Sequence, residues 1–213
     1  SGWDLSLGLR VEDTNYDYDN RMSDGRTDEF GVACRFGCRY NRPGDRSDSF
    51  TNLSPKLGLS YALNDFHSLQ LRAQRGFRAP QASEMYRLQN NQNIADLNSV
   101  ELDSYEVEFK GAGEGWAYSA GYYFMDKQNE IVTNSARVNL NNSHTQHTGL
   151  EFSLGLDITE TLALAAVYNF AEHTYENSEI SGGIDIQGNN VDTAPSQFGN
   201  LRLRWTPSER VTS

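Results

Sequence analysis

The sequence predicts an all-β protein, an antiparallel transmembrane β-barrel with about eight strands present. Three observations carry this. Nearly all hydrophobic periodicity has period two, the repeat of a strand rather than a helix. The connections alternate short and long, so the long ones all emerge on one side. The composition is polar, with 37% hydrophobic residues, a net charge of −11 and no run approaching the roughly 18 apolar residues of a membrane helix. In a barrel only alternate residues meet lipid, so the average stays polar. The acidic balance argues against nucleic acid as a partner, which selects basic patches.

Taken in order, residues 3–12 place Trp3, Leu5, Leu7, Leu9 and Val11 on one face and Asp4, Ser6, Gly8, Arg10 and Glu12 on the other. Residues 53–63 set Leu53, Pro55, Leu57, Leu59, Tyr61 and Leu63 against Lys56, Gly58, Ser60 and Ala62. Residues 67–77 set Leu69, Leu71 and Ala73 against Ser68, Gln70, Arg72 and Gln74. Tyr105, Val107 and Phe109 then oppose Glu106, Glu108 and Lys110. Trp116, Tyr118, Ala120, Tyr122 and Phe124 oppose Ala117, Ser119, Gly121 and Tyr123. Residues 148–158 alternate most strictly, with Leu150, Phe152, Leu154, Leu156 and Ile158 against Gly149, Glu151, Ser153, Gly155 and Asp157. Residues 162–170 follow, and 201–205 close with Leu201, Leu203 and Trp205 against Arg202 and Arg204. The segment PQASEMYRLQ reads as a turn of helix inside a loop.

Short turns are expected at 64–66, 111–115 and 158–161, and long polar connections at about 13–49, 78–100, 126–140 and 174–195. Compact soluble domains rarely carry several structureless loops of this length. The polar faces are rich in Gly, Ser, Ala and paired charges, and Arg72 is expected on the same side as Glu106 and Glu108, in a ladder of ion pairs. Trp3, Trp116 and Trp205 each fall near a short-turn end, as an interfacial aromatic girdle requires. The alternative is that they are core aromatics of a sandwich. Unpaired backbone groups are costly in hydrocarbon, so a spanning sheet must close. Eight strands either close alone or form an arc of a wider barrel.

Two cysteines, Cys34 and Cys38, are spaced C-x3-C with no second pair and no nearby His, too few donors for a tetrahedral zinc site. They are either a local disulfide or two unpaired thiols. Of the four histidines, His67 is expected at the short-turn side. His144 and His147 are three apart, which in an extended chain puts them on opposite faces. They read as solvated loop histidines, and no metal site is expected. No Gly-x-Ser-x-Gly elbow or Ser/His/Asp arrangement stands out, so no catalytic residue and no enzyme activity are expected.

FTNLSPKLGLSYAL (50–63), GFRAPQASEMYRLQ (76–89), VELDSYEVEFKG (100–111) and HTGLEFSLGLDI (147–158) resemble the C-terminal barrel half of TonB-dependent outer-membrane receptors, ferric-siderophore receptors in particular. The matching positions are Ser54-Pro55-Lys56, Gly76-Phe77-Arg78-Ala79-Pro80, Glu84-Met85-Tyr86, Glu101 with Tyr105-Glu106, and Gly149-Leu150-Glu151. APSQFGNLRLRWTP resembles the family's next descending strand, so the match covers most of 49–207.

The resemblance implies an arc of a barrel of about 22 strands around an N-terminal plug, placed at roughly strands 11 to 18. Residues 1–213 are then expected to be a fragment of a single β-barrel domain, with the plug domain and the remaining strands absent. The implied setting is the bacterial outer membrane. The implied partners are a ferric siderophore or other small nutrient, TonB through the plug region, and outer-membrane lipid. No cofactor is implied. The alternative is a small self-contained eight-stranded outer-membrane barrel with a binding or adhesive role. Gly76 to Pro80 are expected to end a strand and anchor a loop rather than to touch ligand.

Haem receptors of the family place a His in the loop after Phe-Arg-Ala-Pro, before an Asn-Pro-Asn-Leu-type motif. Residues 81–100 contain no His, and the place corresponding to that motif reads IADLNSVE, which lowers the haem reading. A siderophore site calls for outward-loop aromatics and cations. Tyr16, Tyr18, Arg35, Phe36, Arg39, Tyr40, Tyr86 and Arg87 are the candidates, with loop-on-loop packing as the alternative for each. The oxidising compartment favours a Cys34–Cys38 disulfide.

Overall fold

The computed structural model describes residues 2–23, 27–28, 32, 40–89, 92–134, 137–177, 180–181, 184–191 and 194–207. Its chain order is β1 (Gly2–Tyr18), β2 (Met22–Ser23), β3 (Thr27–Asp28), β4 (Tyr40–Asn41), β5 (Arg46–Ala62), β6 (His67–Arg78), α1 (Ala82–Tyr86), β7 (Leu88–Gln89) and β8 (Val100–Gly113). There follow β9 (Trp116–Thr133), β10 (Asn139–Thr159), β11 (Leu162–Tyr175), β12 (Ile180–Ser181), β13 (Ile184–Asp185) and β14 (Gln197–Trp205). Eight of these make one antiparallel sheet in the order β1-β5-β6-β8-β9-β10-β11-β14. Each long strand pairs with its sequence neighbour, and β1 and β14 are the two edges. The pairs β2–β3, β4–β7 and β12–β13 are small ribbons in the connections.

Register carries every apolar set onto one face. Trp3 pairs with Tyr61, Leu5 with Leu59 and Leu7 with Leu57. Leu59 in turn faces Leu71, Leu71 faces Val107 and Val107 faces Tyr122. Tyr122 faces Leu150, Leu150 faces Phe170, and Leu203 closes the series against Leu164. A slip of one residue in any strand would have sent its leucines to the polar face.

This face is not a protein core. Leu150, Phe152 and Leu154 are 42%, 45% and 38% exposed, and Leu7 is 75% exposed. An apolar surface of this extent in water would aggregate, whereas hydrocarbon solvates it. The apolar set also stops at one level across the sheet. Above Val11 and Leu53 come Asp13 and Thr51. Above Ala73 and Tyr105 come Arg75 and Asp103, above Phe124 comes Asp126, and above Leu150 and Phe170 come Thr148 and Glu172. Trp3 to Val11 spans roughly 27 Å along the strand. Strand tilt brings that close to the roughly 25 Å band of an outer-membrane barrel.

The lower edge is aromatic. Trp3 packs on Tyr61 with centroids 4.3 Å apart. Trp116 lies 5.8 Å from both Tyr118 and His67. Trp205 is 69% exposed at the end of β14. The three tryptophans and His67 all sit at the short-turn side. The turns between strands there are brief, the Glu114-Gly115 pair using a positive φ of 72° at Gly115.

The strands outrun the sequence reading at the opposite end. Residues 126–140, read as a long connection, are mostly β9 and β10, and the Asn134 N–H donates to the Val138 carbonyl at 3.0 Å where the two strands meet. Asn134 Oδ1 accepts the Val138 N–H at 3.0 Å there, and Arg137 takes a φ of 60°. Likewise β1 runs on to Tyr18 and β5 begins at Arg46. In the extensions of β1 and β5 the outward face is polar while the inward face carries Tyr16, Tyr18 and Phe50, so the outward leucine alternation of the apolar band does not mark them.

Candidate functional site

The buried core lies outside the sheet, in the connection between β6 and β8. Met85, Tyr86, Leu88, Ala95 and Leu97 are buried together, packed against Tyr16, Tyr18, Phe50 and Ile131. The connection is built from its entry. Arg78 ends β6 and holds Glu84 with two bonds, at 2.9 and 3.1 Å. Glu84 Oε2 also accepts the Gln81 N–H at 2.7 Å, covering a free donor at the start of α1. Pro80, which has no N–H to leave unpaired, is buried, and its carbonyl accepts the Tyr16 hydroxyl at 2.9 Å.

From α1 the connection crosses the polar face. On one side, Tyr86 stacks on Tyr18 at 4.3 Å and 4° and donates its hydroxyl to Asp48 at 2.7 Å. Arg46 reaches Asp48 through Nε at 2.8 Å and Asp96 through Nη2 at 3.3 Å. On the other side, Gln92 and Asn139 exchange two bonds of 2.8 Å, and Asn139 Nδ2 donates to the Glu84 carbonyl at 3.0 Å. Asn141 closes a second reciprocal pair with the Asn98 backbone, at 2.6 and 3.1 Å. The segment therefore bridges β1 and β5 to β9 and β10.

Lower down, the polar face carries a ladder. Arg72 lies 3.5 Å from Glu106, its cross-strand partner, on the same side as Glu108. Lys110 pairs with Glu108 at 3.0 Å, and Arg10 with Glu12. Asn169 donates to Glu151 at 2.8 Å, and Ser119 bonds Ser153 at 2.8 Å. These part-exposed ion pairs contribute little stability each. Their consequence is a wall wet enough for water and charge to be tolerated behind a greasy exterior. The Tyr123 ring lies across Gly149, where any Cβ would overlap it.

Of the candidate ligand residues, Tyr16, Tyr18 and Tyr86 come together, and Tyr16 and Tyr18 belong to β1 rather than to a loop. Their rings are engaged in holding the crossing segment. Arg87 is exposed at the end of α1. Tyr40 lies in β4, paired with Gln89 of β7. Arg35, Phe36 and Arg39, with Cys34 and Cys38, lie outside the described residues. Glu101 pairs with Arg75 at 3.2 Å, and Tyr105 points outward, 52% exposed.

Sequence reasoning missed Arg46, Asp48 and Asn139. Arg46, Asp48 and Phe50 alternate in the sequence and could have been read as an upward extension of β5. His144 and His147 are strand residues, not loop residues. His144 bonds Asp126 at 2.6 Å, whereas His147 meets His173 on the other face.

An open antiparallel sheet, apolar on one face and charged on the other, with a folded segment across one end of the charged face, has the layout of an outer-membrane barrel wall. Residues 1–212 match the family model described as TonB dependent receptor-like, beta-barrel. The chain belongs to the TonB-dependent receptor barrel family. Members of that family are bacterial outer-membrane transport receptors, not enzymes.

Among solved structures, the TonB-dependent barrel is similar to that of the unliganded ferric citrate transporter FecA. The TM-score is 0.69 at 16% identity, over 98% of this chain and 28% of that one. The ferric-catecholate import receptor Fiu of E. coli K12 gives 0.67 at 16% identity, over 97% of this chain and 30% of that one. The ferric yersiniabactin uptake receptor FyuA of Yersinia pestis gives 0.66 at 13% identity, over 94% and 28%. The TonB-dependent barrel segment thus spans about 30% of the length of such receptors. No curated protein matches the chain.

Proposed function

We propose that the chain is one arc of an active-transport receptor that takes up a ferric siderophore, or a similar scarce nutrient, with energy from TonB. The supporting observation is the inverted sheet: lipid-compatible residues on one face, an ion-pair ladder on the other, and edges β1 and β14 not paired to each other. Open edges favour an arc over a self-contained eight-stranded barrel, because exposed ladder groups are not tolerated in hydrocarbon. The similar solved receptors handle ferric catecholate, ferric citrate and ferric yersiniabactin. Tyrosines and arginines crowd the end where the crossing segment lies, and such groups suit flat, anionic iron chelates.

Uptake by iron-starved cells tests this reading. Deleting the gene should abolish accumulation of radio-iron from one member of a catecholate, hydroxamate and citrate panel. The complete gene should restore it, and only in a strain with working TonB. Unchanged uptake across the whole panel would overturn the proposal.

A further inference from the structure

Away from the crossing segment, two imidazoles meet on the polar face. His147 of β10 and His173 of β11 are cross-strand partners. Their Nδ1 atoms are 2.7 Å apart, with ring centroids at 4.9 Å and planes inclined by 59°. On its other side His147 Nε2 lies 3.1 Å from Thr145 Oγ1. Thr145 can therefore hold His147 as the Nε2–H tautomer, which turns the Nδ1 lone pair toward His173. His173 Nδ1–H then donates to that lone pair, and a cation bound between the rings takes the place of this one shared proton, which His173 keeps on Nε2 instead. A metal-binding imidazole commonly keeps its second N–H on an oxygen, the role Thr145 is placed to fill.

The spacing discriminates among metals. Two nitrogens bound at about 2.0 Å sit about 2.8 Å apart at a right angle and about 3.3 Å apart at a tetrahedral angle. From the 2.7 Å hydrogen-bonded separation, adjacent corners of a tetragonal site need the smaller movement, and that is the preference of Cu(II), which also binds nitrogen donors most tightly of the divalent series.

The surroundings permit a cation. The pair sits above the apolar band, level with outward-facing polar residues such as Thr148 and Glu172. Met125 is the register partner of His147 on β9, and its thioether belongs to the class of weak axial donors to Cu(II). The nearby charges are Lys127 and Glu130, which are paired with each other, and Ser143 donates to Glu130 at 3.5 Å. Among the described residues no three His, Cys, Asp or Glu side chains converge, so the protein supplies two strong donors and leaves corners open.

We propose that His147 and His173 form a Cu(II) subsite on the polar wall of the barrel, with Thr145 as its positioning residue. The site goes beyond the uptake reading, and its test reads equilibrium binding, so failure of transport would leave it standing.

The complete receptor, purified in detergent, is titrated with Cu(II) at pH 7.4 and followed by electron paramagnetic resonance. We expect a tetragonal signal with coupling to two imidazole nitrogens. One equivalent of copper should be lost in the double variant His147→Gln/His173→Gln, and none in His144→Gln. Thr145→Val should weaken binding by roughly tenfold, as loss of an outer-shell partner does. Heat-modifiable migration in a gel checks that each variant is folded. Pulsed resonance on the wild type alone detects the remote imidazole nitrogens and needs no variant. Equal copper uptake by wild type and double variant, or a wild-type signal without two-nitrogen coupling, overturns the assignment.

Discussion

Asp48 ties the crossing segment to the wall, and its protonation governs the tie. Burial alone would raise its pKa, but the bonds from Arg46 and Tyr86 outweigh burial and hold it below the ordinary 3.8. Tyr86 moves the opposite way, above its ordinary 10.0, first through burial and then through Asp48. The signs fix the pH window. A carboxylate with a depressed folded pKa stabilises above its unfolded value and stops doing so as pH falls through the folded one. A phenol with a raised folded pKa stabilises below its unfolded value and stops as pH rises through the folded one. The tie should therefore be at full strength between roughly pH 4 and pH 10, weaken outside that range, and be lost only once the pH passes the folded values below 4 and above 10. Hydrogen exchange of residues 81–89, corrected for intrinsic rates, should show protection falling below pH 4. Asp48→Asn should lose roughly 1–3 kcal/mol of that protection already at pH 7, because a buried phenol and guanidinium lose their anionic partner. Protection unchanged by the substitution would remove Asp48 from this role.

At the scale of the strand, parity decides what a position tolerates. Phe152 and Ser153 are consecutive in β10, one 45% exposed on the apolar face and the other bonded to Ser119 on the polar face. Arginine at 152 would put a charge into hydrocarbon near mid-band, at a cost of roughly 2–4 kcal/mol. Arginine at 153 would join the ladder of Arg72, Glu106, Glu108 and Glu151. Phe152→Arg should therefore sharply reduce the heat-modifiable folded fraction, and Ser153→Arg should leave it close to wild type. The reverse order would invert the sheet. The same parity separates His144, on the face of Asp126, from His147, on the face of His173.

At the scale of the whole molecule, the question is closure. β1 pairs only with β5 and β14 only with β11 within the main sheet. In an eight-stranded barrel β1 and β14 would be neighbours, about 4.8 Å apart. In an arc other strands lie between them. Cysteines at Leu7 and Leu203, both on the apolar face, in the complete receptor embedded in outer membrane, should stay unlinked on oxidation. Cysteines at Leu7 and Leu57, which are register partners, should cross-link. Efficient linkage of the first pair would favour the self-contained barrel.

Much of the wall was legible in the sequence, because alternation of leucine with polar residues survives no shift of register. Trp3 to Val11, Leu69 to Ala73 and Leu150 to Ile158 each declare their outer face without reference to any other strand. The polar strand ends were not legible, since Tyr18, Arg46 and Thr133 lie where neither face meets lipid and no periodicity is enforced. Nor was the meeting of Tyr18 with Tyr86, of Asp48 with Arg46, or of His147 with His173. By itself the sequence determined which side of each strand faces hydrocarbon, since a solvent boundary acts on one residue at a time. Tertiary structure alone decided which polar groups close the crossing segment onto the wall, because a hydrogen bond needs two partners that the chain separates by as many as 64 residues, as in Tyr16 and Pro80.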